Sequence, residues 1–249
     1  MAITLQAYLD SIKDTRVAVI GIGVSNTPLI KTLLGAGISV TACDKASREN
    51  FGPLADELEG LGATLCLGDT YLDNLDQDII FRSPGIRPDI PPFLAAMEKG
   101  SILTSEMEVF FQVCPCKIIA VTGSDGKTTT TTLTSLILEE ACKRRGVGKV
   151  YRGGNIGTPL LPFAEDMTPD DFAVVELSSF QLMTMGEGAG VTRGALTNIT
   201  PNHLNWHTDM AEYIAAKTHL LGGEIPPEAA VLNARDENTR RIGEGLTGP

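Results

Sequence analysis

The chain is short of the features that mark membrane-spanning, secreted and nucleic-acid-binding proteins. It has no excess of positive charge: 20 Lys and Arg stand against 31 Asp and Glu over 249 residues, a formal net charge of −11. A chain of that sign is repelled by nucleic-acid backbones and by anionic membrane surfaces, so neither is expected as a partner. Small nucleotides are not excluded, because local N–H groups and one or two cations suffice to hold them. No uninterrupted apolar run approaches the roughly 20 residues that span a bilayer, and the opening MAITLQAYLDSIKD is polar and mixed in charge, unlike a secretory signal. The five cysteines (Cys43, Cys66, Cys114, Cys116, Cys142) are odd in number and irregularly spaced, which argues against a disulfide framework and for a reduced, cytoplasmic protein. Cys114-Pro-Cys116 is C-x-C rather than C-x-x-C and reads as a linker feature. With 43% hydrophobic and 20% charged residues, the composition is that of a globular protein long enough for one large domain or two ordinary ones.

What the chain does have is KIIAVTGSDGKTTTTTL, Lys117 to Leu133. An apolar run meets a glycine-bearing turn, then Lys127, five threonines and an apolar helical pattern: strand, loop, helix. Free N–H groups at the helix start converge on one spot, and the helix dipole favours an anion there. Gly123 and Gly126 let the backbone curl closely around a phosphate. Lys127 can reach the outer phosphates, and the Thr128 hydroxyl can ligate Mg²⁺. The loop departs from G-x-x-x-x-G-K-[ST], since only Ser124 and Asp125 separate Gly123 from Gly126-Lys127.

Upstream, RVAVI (16–20) reads as a buried strand, GIGVSN as a tight turn with Asn26 in the place of a third glycine, and the segment to Gly35 as a helix. ISVTACD follows as a strand ending on Asp44, which completes a βαβ unit. An acid there often meets a ribose hydroxyl; a G-x-G loop by itself serves a dinucleotide, another nucleotide or chain packing. Shorter α/β repeats continue to Val113. The expected fold is therefore α/β: a Rossmann-like parallel-sheet domain over residues 1–114, then a P-loop ATPase-type α/β domain over 115–249. In the second domain, GVGKVYRGGNIG reads as strand and glycine turn, DDFAVVELSSFQL as a buried strand, RGALTNITPNHLNWH as a strand running into a loop, AEYIAAKTHLL as a helix, and EAAVLNARDENT as a strand and turn.

Glu176 is the first polar residue of its apolar run. A carboxylate there is too costly to bury unpaired, which points to a Mg²⁺ ligand. His203 sits in a strand-end loop suited to metal or phosphate contact, whereas His207 and His219 read as structural or exposed. Lys217 is open to two readings, a snorkelling surface lysine or a catalytic one.

TGSDGKTT, GGNIG, ELSSFQL, TNITPNHLNWH and YIAAK occur in this order, preceded by GIGVSN, ACDK and SPGI. Together they resemble the Mur ligase family, ATP-dependent amide-forming ligases of peptidoglycan precursor synthesis. ELSSFQL and GGNIG point within it to the branch that adds D-glutamate to UDP-N-acetylmuramoyl-L-alanine. The resemblance implies an acyl-phosphate mechanism, with ATP, two Mg²⁺ ions and a CO₂-derived carbamate on Lys217. It implies UDP-N-acetylmuramoyl-L-alanine, D-glutamate and ATP as partners of a cytoplasmic monomer. Ser124, Asp125, Gly126, Lys127, Thr128 and Thr129, beside Gly123, would hold ATP phosphates, with Thr128 on one Mg²⁺. Glu176, His203 and Lys217 would hold the second. Val24, Ser25, Asp44, Lys45 and Gly85 would bind the UDP part, and Asn155, Ser178, Gln181 and His203 the muramoyl side. Two departures stand out: Asp125 where the family more often has Asn, and Lys45-Ala46 where an Arg or Thr is common. The family's C-terminal domain and its adenine and D-glutamate motifs have no counterpart here, so the central domain is expected to be truncated and the chain alone incomplete for catalysis. The alternatives are a non-catalytic nucleotide- or UDP-sugar-binding fragment and another amide ligase of the superfamily.

Overall fold

The computed structural model describes residues 3–185, 190–222 and 226–246. They divide into two compact units, the first reaching Val113 and including Leu161–Glu165, the second comprising Cys114–Leu160 and the residues from Asp166 onward.

In the first unit, β1 (Arg16–Ile20), β2 (Ser39–Asp44), β3 (Thr64–Leu67), β4 (Ile79–Arg82) and β5 (Ile102–Thr104) form one sheet in the order β3-β2-β1-β4-β5, every pairing parallel. Helices α1 (Leu5–Ser11), α2 (Asn26–Gly35), α3 (Arg48–Phe51), α4 (Pro53–Gly60), α5 (Pro91–Glu98) and α6 (Glu106–Val113) accompany it. A sheet covered on its faces needs continuous apolar strands. Val17, Ala18, Val19 and Ile20 accordingly have no exposed surface, and Ala18, Ile20 and Ile80 pack with Cys43, Leu75, Phe93 and Ala96. The chain builds outward from β1 to β3, then returns to β4 on the other side of β1. That reversal opens a crevice at the carboxyl ends of β1 and β4, where open α/β sheets hold ligands.

The second sheet, order β10-β9-β6-β8-β7, is again parallel throughout: β6 (Lys117–Thr122), β7 (Val150–Gly154), β8 (Phe172–Glu176), β9 (Val191–Leu196) and β10 (Ala229–Leu232). Its helices are α7 (Lys127–Arg145), α8 (Ser179–Leu182), α9 (Met210–Thr218) and α10 (Glu237–Gly245). Lys143, Arg144 and Arg145 lie in the last turn of α7, which Gly146 closes at φ 69°. Two elements differ from the sequence expectation. The strand read through ELSSFQL stops at Glu176, because Ser178 caps a helical turn: its hydroxyl accepts from the Gln181 N–H while the Gln181 side chain reaches back to the Ser178 N–H. The turn read after VLNAR opens a helix, α10, whose cap is Asp236 accepting from the Thr239 N–H. Among the described residues no helix is long and apolar enough to cross a membrane.

Candidate active site

Central strand β6 ends on Thr122, and the next residues turn back over its carboxyl end. Gly123 has φ 149° and Gly126 φ 77°, and a Cβ at Gly123 would collide with the Thr197 hydroxyl. Only glycine fits both the backbone angle and the approach. Gly126 stands at the N-cap of the 19-residue α7 with no side-chain cap, so the first N–H groups of that helix face the loop. Residues after β9 brace the loop from the neighbouring strand. Ser124 N–H donates to Asn198 O (2.9 Å), Asp125 N–H to Asn198 Oδ1 (2.9 Å), and the Thr197 hydroxyl to Asp125 O (2.7 Å). Ser124 Oγ donates to Thr200 O (3.0 Å), accepts from the Thr200 N–H (2.9 Å) and lies 2.8 Å from the Tyr213 hydroxyl.

Glu176, at the carboxyl end of adjacent β8, is 1% exposed. Its Oε2 accepts from the Thr128 hydroxyl (2.8 Å) and its Oε1 from Asn155 Nδ2 (2.9 Å), so three separate elements meet on one carboxylate. Lys127 Nζ donates to Ser124 O (2.9 Å). Lys217 on α9 is 2% exposed, with its ammonium 4.8 Å from the Tyr213 ring centre, donating to Gly123 O (2.8 Å) and Thr122 Oγ1 (3.3 Å). Burial, then the nearby Lys127 charge, press Lys217 down to about 7, with Glu176 opposing. This lysine does not snorkel: the Tyr213/Lys217 face of α9 is the buried one. His203 holds a left-handed backbone at φ 55°, and desolvation together with Lys217 and Lys127 lowers its ring below the usual histidine range. Gly123, Lys127, Asn155, Ser178, His203 and Lys217, with Ser179, Phe180 and Tyr213, line one cavity of about 140 Å³.

Of the residues expected at this site, Gln181 is not in the cavity wall, since its amide closes the α8 capping box. Asp125 and Thr129 are exposed on the loop and the first turn of α7. His207 is structural, held between Ser179 Oγ (2.9 Å) and Glu212 Oε2 (3.2 Å), and His219 Nδ1 donates to Leu182 O (2.8 Å). Sequence reasoning did not single out Thr197, Asn198, Thr200 and Tyr213. The available signal was the run of polar residues at the end of an apolar strand, TNIT.

In the first unit, Gly21, Ile22, Gly23, Val24, Ser25, Asn26, Asp44, Ser83 and Pro84 line a cavity of about 270 Å³ at the β1/β4 crevice. Asp44 shapes it, its Oδ2 accepting from the Ile22 N–H (2.7 Å) and its Oδ1 from the Ala46 N–H (2.8 Å). Asn26, standing where a third glycine is usual, donates to Ile20 O and Gly21 O (3.1 and 2.9 Å), pinning the turn. Lys45 and Gly85 are exposed next to lining residues rather than part of the wall.

Residues 121–247 match the Mur ligase middle domain. Over 237 residues the chain is 50% identical to the UDP-N-acetylmuramoylalanine–D-glutamate ligase of Clostridium kluyveri, covering 94% of this chain and 50% of that protein. Over 233 residues it is 48% identical to the ligase of the same name from Clostridium botulinum (strain Okra / Type B1), covering 93% and 49%. The chain thus spans about half the length of the curated relatives it matches. Its fold is that of the solved UDP-N-acetylmuramate:L-alanyl-gamma-D-glutamyl-meso-diaminopimelate ligase from Neisseria meningitides, with a TM-score of 0.58 at 18% identity over 94% of this chain and 76% of the other.

Proposed function

The chain belongs to the Mur ligase family, and we propose that it carries the ATP site and the UDP-substrate site of a cytoplasmic ligase joining D-glutamate to UDP-N-acetylmuramoyl-L-alanine, the activity named for its relatives. One observation carries this reading: the glycine loop, Thr128, Glu176, Asn155, Lys127 and Lys217 meet at the carboxyl end of one parallel sheet.

The residues fit Mg²⁺. Glu176 is a buried carboxylate whose hydrogen-bond partners, Thr128 and Asn155, are both neutral. Among the described residues no three His, Cys, Asp or Glu side chains converge to cage an ion. Such a sparse set suits Mg²⁺, which takes one or two carboxylates and completes its shell with phosphates and water. Thr128 with Glu176 would hold one ion. Glu176, His203 and a carbamylated Lys217 would hold a second, and a lysine held near 7 is substantially the neutral amine that reacts with CO₂. Bound Mg²⁺ would offset charge on the transferring phosphoryl group.

The chain's own groups bind and align. The uncapped start of α7 and Lys127 hold the β- and γ-phosphates. Asn155, Ser178 and His203 orient the acyl carboxylate that attacks the γ-phosphate, and the D-glutamate amine then displaces phosphate from the acyl phosphate; alignment is the main contribution. In the first unit, the start of α2, where Ser25 makes no side-chain cap, receives the diphosphate of the UDP moiety, with Val24 and Asp44 in the wall and Lys45 and Gly85 at the rim.

Calorimetry tests the two sites independently. The chain should bind a non-hydrolysable Mg·ATP analogue and, separately, UDP-N-acetylmuramoyl-L-alanine. Lys127→Ala should abolish the first, by at least about 100-fold, and leave the second unchanged. Equal nucleotide affinity in Lys127→Ala, or binding of NAD in place of the UDP-sugar, would refute the assignment.

A further inference from the structure

The C-x-C pair preceding β6 has no part in the phosphate site, yet it is not a bare linker. Cys114 and Cys116 lie with their sulfurs 3.3 Å apart, and the Met167 sulfur is 4.0 Å from the first and 3.9 Å from the second. All three side chains are buried, at 6%, 9% and 5% exposure. The sheet brings them together. Residues 114–116 lead into β6, Met167 and the Thr168–Asp171 turn lead into β8, and β6 and β8 pair in parallel with Lys117 opposite Phe172. The turn is pinned: Asp171 Oδ2 accepts from the Thr168 N–H (2.7 Å) and hydroxyl (2.9 Å), Asp171 Oδ1 from the Lys149 N–H (2.6 Å), and the Lys117 N–H donates to Asp171 O (3.3 Å). Met167 is thus held against the cysteines by the pinned turn that follows it.

We propose that Cys114, Cys116 and Met167 form a binding site for a soft monovalent cation of the Cu(I) class. The triangle has the required size. The point equidistant from the three sulfurs lies about 2.2 Å from each, against a metal–thiolate bond of about 2.3 Å. An ion displaced less than about 1 Å from the sulfur plane therefore reaches all three with no backbone rearrangement. Two thiolates and a thioether, with no imidazole or carboxylate among the three, select Cu(I) over harder divalent ions, and the thioether tells against Zn²⁺. Loading breaks the two S–H bonds, releases both protons to solvent and binds one M⁺ through two thiolate–metal bonds and one thioether–metal bond, leaving one net negative charge on the site and no change of oxidation state. The site stands at the amino end of β6, a strand of six residues, so roughly 20 Å of strand separates it from the glycine loop at the other end.

The test is a titration of the reduced full chain with Cu(I) under anaerobic conditions, in competition with a chromophoric Cu(I) chelator, followed by X-ray absorption. One equivalent should be withdrawn from the chelator, with three sulfurs at about 2.3 Å. Cys114→Ser and Cys116→Ser should each abolish the competition. Met167→Leu, close in volume and therefore expected to fold, should weaken it by at least about 10-fold, the low end of what a lost group around a metal costs. The double variant Cys43→Ser/Cys66→Ser removes the register-paired cysteines of the first unit and should leave binding intact. Failure of the wild type to compete, a shell of two sulfurs indifferent to Met167→Leu, binding lost with Cys43 and Cys66, or conversion to a Cys114–Cys116 disulfide with no Cu(I) uptake would each overturn the proposal.

Discussion

Replacing Lys217 by Met should stabilise the metal-free, ligand-free protein near neutrality, in a pH-dependent way. Burial, chiefly, and the Lys127 charge hold Lys217 at about 7, against 10.5 for an ordinary lysine. Because the folded value is the lower one, unfolding takes up a proton between these limits, and wild-type stability rises with pH from 7 to 10.5. At 1.36 kcal/mol per pH unit, protonation of the unfolded chain favours unfolding by about 4 kcal/mol at pH 7 and about 2 kcal/mol at pH 9. Methionine removes that term but also the two hydrogen bonds to Gly123 O and Thr122 Oγ1, worth about 1 kcal/mol each. The variant should therefore be more stable by about 2 kcal/mol at pH 7, with the gain vanishing near pH 9. The assay is urea unfolding in CO₂-free buffer at both pH values, followed by fluorescence of Trp206, the chain's one tryptophan, which packs on Phe180 and His207 in the same unit. A variant less stable than wild type at pH 7, or a difference that is the same at pH 7 and 9, would refute the argument.

Three further substitutions probe the backbone and the other unit. Gly123→Ala drives a Cβ into the Thr197 hydroxyl at φ 149°. It should cost about 3 kcal/mol or more and remove nucleotide binding, and trimming the neighbour with Thr197→Ala should recover only part, because the strained φ remains; calorimetry and urea unfolding read both. In the first unit, burial raises Glu106 to about 7 from 4.5 while the Leu161 N–H, 3.1 Å away, opposes it. Wild-type stability should accordingly fall as pH rises from 4.5 to 7, and Glu106→Gln, which keeps an acceptor for Leu161, should be more stable by about 2–3 kcal/mol at pH 8 and nearly unchanged at pH 4.5. Circular dichroism across a urea gradient would detect it, and an equal effect at both pH values would exclude this cause.

What was legible in the sequence is what short-range chemistry dictates. Gly123, Gly126 and Lys127 mark a tight strand-to-helix junction because they fall between an apolar run and a helical pattern, and Glu176 stands out because a single acid ends FAVVE. The bracing of that loop was not legible. Thr197, Asn198 and Thr200 lie more than 70 residues from it and reach it only because β9 pairs directly with β6. The helix read over AEYIAAKTHLL left Lys217 open between a surface and a buried role; α9 presents its Tyr213/Lys217 face to the carboxyl end of β6, which settles the burial. The extension of a strand through ELSSFQL overlooked the S-x-x-Q capping box, a local signal outweighed by the apolar run before it. Helix α10 was missed because ENTRRIGEG carries so little apolar surface that only its Asp236 cap marks it.

The two lysines of the proposed phosphate site are mutually repulsive, and among the described residues Lys217 donates to a carbonyl and a hydroxyl. In a chain of net charge −11, this is a local shortage of negative charge, and it is one a polyphosphate removes. Phosphates settling at Gly123–Thr128 favour the charged form of Lys217 and raise its pKa, so binding must be accompanied by proton uptake. At pH 8 a lysine of pKa about 7 is about one-tenth protonated, leaving up to about 0.9 proton to be taken up per nucleotide. His203, lowered by burial and by the same two lysines, lies near the same charges, and the Lys217→Met variant separates its contribution from that of Lys217. Titrating Mg·ATP analogue into the chain in two CO₂-free buffers of unlike ionisation enthalpy measures the uptake directly, as a difference in apparent binding heat. The difference should be present in the wild type and absent in Lys217→Met. Identical heats in both buffers for the wild type, or an undiminished difference in the variant, would show that the charge of Lys217 is not coupled to the phosphates.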